Sequence, residues 1–181
     1  MMADLPGISI QPGQVYLARD PMVLQTILGS CVGVTFWSPR VGAGALCHGV
    51  LPRCPPDIGG ADGHRYVDFS IRYLAEQFDA LGVCRQEVEV KLFGGADVLP
   101  VSAARHAKPT IGALNCTTAL EVLQAEGFRV AASDLGGLRG RTIHFHTDTG
   151  EVFVHRLAKL NNAGRRDSDL TRTKKNQKAR L

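Results

Sequence analysis

No stretch of this sequence is apolar for long enough to span a membrane. Gly, Ser, Gln and Pro interrupt every run well short of the roughly 20 residues a bilayer requires. The chain has no basic start followed by an apolar run and a small-residue cleavage site, so a secretory leader is not expected. These absences predict a soluble, cytoplasmic protein without membrane insertion. Cysteine is sparse: Cys31, Cys47, Cys54, Cys84 and Cys116 are odd in number, irregularly spaced and without a C-x-x-C pair. That pattern excludes a disulfide framework and a zinc ribbon. Phosphate-binding glycine motifs are missing too, since neither Gly94-Gly95 nor Gly136-Gly137 sits in a G-x-G-x-x-G or Walker pattern. Both pairs read as tight turns or as backbone close to a site wall. There is no internal repeat and no low-complexity linker.

With 181 residues, 44% of them apolar and 21% charged, the chain suits one ordinary globular domain with a real core. Its charge is uneven. The segment 158–181 carries eight Lys or Arg against Asp167 and Asp169, a formal +6, which leaves −2 for the rest of the chain. Almost no large apolar residue lies in that segment, so it reads as a basic, solvated tail without fixed structure, following a domain over 1–157. The tail alone suggests nucleic acid or another acidic partner. The slightly acidic domain, with 6% aromatics, argues against a nucleic-acid binder.

Periodicity supplies the elements. Val15–Ala18 reads as a strand. Cys31–Trp37 ("CVGVTFW") and Ala43–Leu51 ("AGALCHGVL") read as an antiparallel pair joined by a Pro/Gly turn. Arg53–His64 is dense in Pro and Gly and reads as a loop. Val67, Ile71, Leu74, Phe78 and Leu81 mark one helical face, with Gly82 as the stop. "VEVKLF" (Val88–Phe93) is a strand. Ala113, Cys116, Leu120 and Leu123 predict a second helical face ending at Gly127. "RTIHFHTDTGEVFVHRL" alternates on both sides of a short turn, as a hairpin does. Strands outnumber helices, and the prediction is an α+β domain of mixed sheets with outer helices.

The stretch "TILGSCVGV" (Thr26–Val34) raises the chemical question. Gly29 and Ser30 sit before Cys31, where a strand interior has no use for them unless the chain turns. His48 lies on the neighbouring predicted strand, so a thiol and an imidazole could meet at one end. A thiol of ordinary pKa, about 8.5, is only a few per cent ionised at neutral pH, and an imidazole can take its proton. Thr26 has a hydroxyl able to orient the ring, and the backbone N–H groups of Gly29, Ser30 and Val32 could hold an oxyanion. Two packed core residues on adjacent strands give the same pattern. A metal is the other reading. Cys47, His48, Cys54 and His64 lack ligand spacing, whereas His144 and His146 share one strand face. "HTDTG", with Thr147 and Asp148, could line a site or serve only as a turn.

In order along the chain, "TILGSCVGV", "GALCHGVLP", "RYVDFSI", "VEVKLFGGADV", "IGALN", "GFRVAASDLGG" and "RGRTIHFHTDTGEVFVHRL" resemble the CheD family of bacterial chemoreceptor glutamine deamidases. The resemblance spans roughly 14–157. It implies a layered architecture around a β-sandwich, like that of toxins which deamidate glutamine in small GTPases. It also implies that Cys31 is the nucleophile, His48 the base and Thr26 the third member. The implied substrates are glutamines on the cytoplasmic helices of methyl-accepting chemoreceptors, hydrolysed through a thioester without metal or organic cofactor. The phosphatase CheC is an implied partner. A non-catalytic module that binds receptors or CheC is the alternative.

Overall fold

The structure, a computed structural model, describes residues 5–98, 108–158 and 179–180. Its strands are β1 (Gly7–Ser9), β2 (Val15–Ala18), β3 (Val23–Leu28), β4 (Val32–Ser38), β5 (Ala43–Gly49), β6 (Glu89–Gly94), β7 (Val130–Leu135), β8 (Arg141–His146), β9 (Val152–Arg156) and β10 (Ala179–Arg180). The helices are α1 (Gly60–Gly63), α2 (Val67–Ala80) and α3 (Ile111–Ala125), with a 3-10 turn at Arg85–Glu87. One sheet runs β1-β3-β8-β9-β10 and the other β2-β5-β4-β6-β7. Pairings are antiparallel except β1 with β3 and β6 with β7. The α+β, sandwich-like architecture expected from the sequence is therefore present.

Alternation divides the core in two. Val32, Val34 and Phe36 of β4, Ala45 and Cys47 of β5, and Val90 and Leu92 of β6 pack under α2 and α3. The intervening side of the same sheet meets Leu24 and Leu28 of β3, Ile143 and Phe145 of β8, and Val152 and Val154 of β9. The order of layers is helices, sheet, sheet. A fully buried Arg141 ties the sheets at one edge: its guanidinium meets the Asp134 side chain and the carbonyls of Asp134 and Gly136, while Arg156 pairs with the same carboxylate at 2.8 Å.

The β4–β5 pair, α2 and the β8–β9 hairpin occur where expected. Four strands were not expected: β1, β3, β7 and, within the expected tail, β10. In β3, "VLQTIL", the inward position 26 is polar, whereas the outward Ile27 is 63% exposed, so apolar alternation is lost. β1 is three residues long, and β7, "VAASDL", is built of small and polar residues. A one-turn α1 also interrupts the Pro/Gly loop.

The α3 face needs correcting. Its buried residues are Gly112, Asn115, Thr118, Ala119, Val122 and Leu123, whereas Ala113 and Leu120 are exposed and Cys116 is half-buried. Apolar side chains occur around the whole helix, so hydrophobicity alone does not select the packed side. The sheet instead accepts small and polar groups. Of the expected tail, only Ala158 and Ala179–Arg180 are described, the latter pairing with β9. The remainder of that expectation lies outside the described residues.

Leu123→Ala should lower stability by about 2–5 kcal/mol through the cavity it leaves, whereas Leu120→Ala should change it by less than about 0.5 kcal/mol. Urea denaturation checks this. Equal losses would restore the Leu120 face.

Candidate active site

Register places Cys31 and His48 on one face. His48 pairs with Gly33, two residues after Cys31, so the cysteine occupies the diagonal position. Diagonal neighbours on one face stand about 7–8 Å apart, within reach of longer side chains. Gly33 leaves space between them: a Cβ there would press on Leu28 and Ile143 of the facing sheet. Cys31 is half-buried and packs against the inter-sheet core, whereas His48 is 2% exposed. Cys47, next to His48, faces the helices instead, and full burial pushes its thiol up to about 12. That thiol stays protonated and inert.

Thr26 approaches from the other sheet. Its Oγ1 lies 2.7 Å from His48 Nδ1 and 2.7 Å from the Ile10 carbonyl oxygen. The hydroxyl has one proton, and the carbonyl can only accept, so that proton goes to Ile10. Nδ1 must then donate to Thr26, which leaves the lone pair on Nε2. This tautomer follows from the hydrogen-bond network. Nε2 is buried and meets no protein partner among the described residues. The His48 backbone is held as well, its N–H donating to Gln14 at 2.9 Å and its carbonyl accepting from Gly13 at 2.8 Å.

Burial holds the His48 pKa below the ordinary 6.5, against an opposing effect of the Ile10 carbonyl. Burial also raises the Cys31 thiol, partly offset by its own backbone N–H. Both shifts disfavour charge, so the resting pair at neutral pH is a thiol and a neutral imidazole.

The turn before β4 is held by neighbours. Gly94 and Gly95 have φ of +110° and +66°, and a Cβ on Gly94 would overlap the Cys31 carbonyl. With this close approach, Gly95 N–H donates to Cys31 O and Ala96 N–H to Gly29 O, both at 2.8 Å. Asn115, fully buried on α3, donates from Nδ2 to Ser30 O at 2.9 Å and Val50 O at 3.0 Å. Val32 starts the ladder, with partners on both sides in Gly49 and Gly94. Among the described residues, the N–H groups of Gly29, Ser30 and Cys31 meet no carbonyl.

Sequence reasoning passed over Asn115, although "IGALN" contains it. An asparagine inside an apolar helical run is a poor helix former and is one available signal.

The other candidates are dispersed. Cys54 Sγ donates to the Ile58 carbonyl at 3.4 Å, and His64 sits edge-on to Phe69 and Tyr73. His144 and His146 lie on the outer side of their sheet, beside His155 and Phe153. Among the described residues no group of three His, Cys, Asp or Glu is placed to hold a metal ion. Thr147 accepts from Trp37 Nε1 at 2.8 Å, tying the sheets near the far end of β4. At ~3.3 Å per residue that is roughly 20 Å from Cys31. No described helix is long and apolar enough to cross a membrane.

The model of the family described as "CheD chemotactic sensory transduction" matches residues 50–156. The chain belongs to the CheD family. A Geobacter sulfurreducens protein named "Probable chemoreceptor glutamine deamidase CheD 2" is 44% identical over 153 residues, 84% of this chain and 91% of its own. One from Maridesulfovibrio salexigens named "Probable chemoreceptor glutamine deamidase CheD" is 38% identical over 162 residues, covering 87% and 95%. A Pseudomonas fluorescens protein of the same name is 35% identical over 147 residues, covering 81% and 82%. The match to the CheD model begins after Cys31 and His48, and the longer alignments extend beyond it.

Heteronuclear NMR of the His48 ring at neutral pH should show a protonated Nδ1 and a bare Nε2. Thr26→Val should abolish that preference and cost about 1–3 kcal/mol for the buried polar groups left unpaired, whereas Thr26→Ser should retain both. An Nε2-protonated ring in the unmodified protein would contradict the assignment.

Proposed function

We propose that this chain is a protein-glutamine deamidase that converts glutamines on the cytoplasmic helices of methyl-accepting chemoreceptors to glutamate. The observation that carries the proposal is the buried Thr26–His48 hydrogen bond, which leaves the Nε2 lone pair on the face shared with Cys31. The names of the family relatives supply the substrate class.

The reaction follows from these groups. His48 Nε2 takes the Cys31 proton, and the sulfur attacks the carboxamide carbon. The developing oxyanion is held by the Ser30 and Cys31 N–H groups, two of the open donors of the Gly29–Val32 turn. One such donor is typically worth about 3 kcal/mol. The tetrahedral intermediate collapses to a thioester as Nε2 returns the proton to the departing ammonia. Water then attacks the thioester with His48 again as base, and glutamate leaves as the sulfur regains its proton. The neutral resting pair suits this sequence, because proton transfer accompanies attack. Thr26 keeps the ring in the required tautomer, and Ile10 fixes Thr26. Deamidation adds a carboxylate to a receptor helix and so alters its charge balance.

Mass spectrometry of receptor cytoplasmic fragments incubated with this chain should show amide-to-acid conversion at specific glutamines. Cys31→Ala should abolish it, and His48→Gln should slow it about 10²–10⁴-fold. Absence of conversion in every receptor fragment, with binding retained, would favour a receptor-binding module.

The pH profile has a predicted sign. His48 must be neutral to act as base, and its pKa lies below the ordinary value. The acid limb of the rate should therefore be centred below pH 6.5. An acid limb centred above 6.5 would contradict the assigned environment of His48.

A further inference from the structure

Three consecutive carbonyls of the cysteine turn are each held by a separate donor. Gly29 O accepts from Ala96 N–H, Ser30 O from Asn115 Nδ2 and Cys31 O from Gly95 N–H. Two of these donors are backbone groups of the segment that follows β6. The third is a side chain, and it comes from a different element, α3.

A trans peptide is planar, and its C=O and N–H point in opposite directions. Whatever grips the Ser30 carbonyl therefore aims the Cys31 N–H. Asn115 lies on the α3 face packed beneath the sheet, so the Cys31 N–H is directed away from the helix layer. Cys31 itself packs toward the inter-sheet core, on that opposite side. The second Asn115 bond, to Val50 O, fastens the same amide to the chain two residues beyond His48. Both bonds use Nδ2, and both acceptors are carbonyls, so the amide orientation is fixed. Oδ1 is buried and without a partner among the described residues, and the side chain keeps this place despite that cost.

We propose that Asn115 is the positioning residue for the oxyanion site: by holding the Ser30 carbonyl it aims the Cys31 N–H at the oxygen of the substrate carboxamide. It acts through the peptide unit and touches neither substrate nor sulfur. This inference rests on the deamidase reading above.

Two reactions of the same sulfur separate positioning from general support of the site. Alkylation by iodoacetamide needs the thiolate but passes through no oxyanion. Deamidation needs both. Asn115→Ala and the similarly sized Asn115→Leu, neither of which donates a hydrogen bond from its side chain, should be compared with the unmodified full chain. Circular dichroism and thermal melts establish folding, and peptide mapping isolates the Cys31 alkylation rate from the other cysteines. For either folded variant, kcat on a chemoreceptor cytoplasmic fragment should fall at least about tenfold, toward the 10²–10³-fold loss of a complete oxyanion donor. KM should stay within about threefold, and the pH profile of Cys31 alkylation should stay within about twofold of the unmodified rate. Unchanged kcat would overturn the inference. So would a parallel fall in alkylation and turnover, which would assign Asn115 to the thiol–imidazole pair or to the fold. Absence of deamidation by the unmodified chain on every receptor fragment would instead overturn the underlying function, so the two failures are distinguishable.

Discussion

Strands β4 and β5 are buried on both faces, and that constraint organises the molecule. Each residue along them must serve either the core under the helices or the core between the sheets. A one-residue step changes its chemical fate. Cys47 and His48 show the consequence. The first is a packed, inert thiol under α2 and α3, and the second is an imidazole bonded to the opposite sheet. Cys31 falls on the His48 side by the same alternation, at the point where β4 begins. A one-residue slip of β5 would bury His48 among Phe36, Leu74 and Leu123, and a slip of β4 would turn Cys31 away from the imidazole.

Around that constraint, the site is assembled from separate parts of the chain. The first sheet supplies Thr26, which the Ile10 carbonyl holds in place. The second sheet supplies His48, and the turn before β4 supplies Cys31. The Gly94-Gly95 pair and Asn115 bring the end of β6 and the start of α3 against that turn. Burial keeps both the thiol and the imidazole neutral at rest. On the proposed function, charge then develops only during attack, where fixed donors are worth most. The buried side-chain hydroxyl of Thr26 sets the direction of proton transfer without carrying charge.

Much of this was legible in the sequence, because period-two and period-3.6 patterns in β4, β5, α2 and the β8–β9 hairpin report burial directly. The juxtaposition of Cys31 and His48 followed from pairing two adjacent strands through a short turn. What the pattern concealed lies where polarity and burial part company. Thr26 faces inward in β3 while Ile27 faces solvent, so the strand that orients His48 carried no clear signal. In α3 the packed side includes Asn115 and Thr118, and the apolar Leu120 lies outside it. These exceptions arise at or beside the site, where a buried hydrogen bond replaces an apolar contact. The contact between the two sheets is likewise a long-range relation that no local window contains.

The central claim is that the Cys31 sulfur becomes bonded to the substrate carbonyl. Acid quenching during turnover of a glutamine-bearing receptor peptide, followed by intact-mass measurement and peptide mapping, tests this most directly. The account predicts a chain heavier by the peptide less one ammonia, with the adduct on Cys31 and lost on treatment with hydroxylamine. Rapid deamidation with no adduct at any quench time after Cys31 is blocked, or an adduct on Cys54, Cys84 or Cys116, would contradict it.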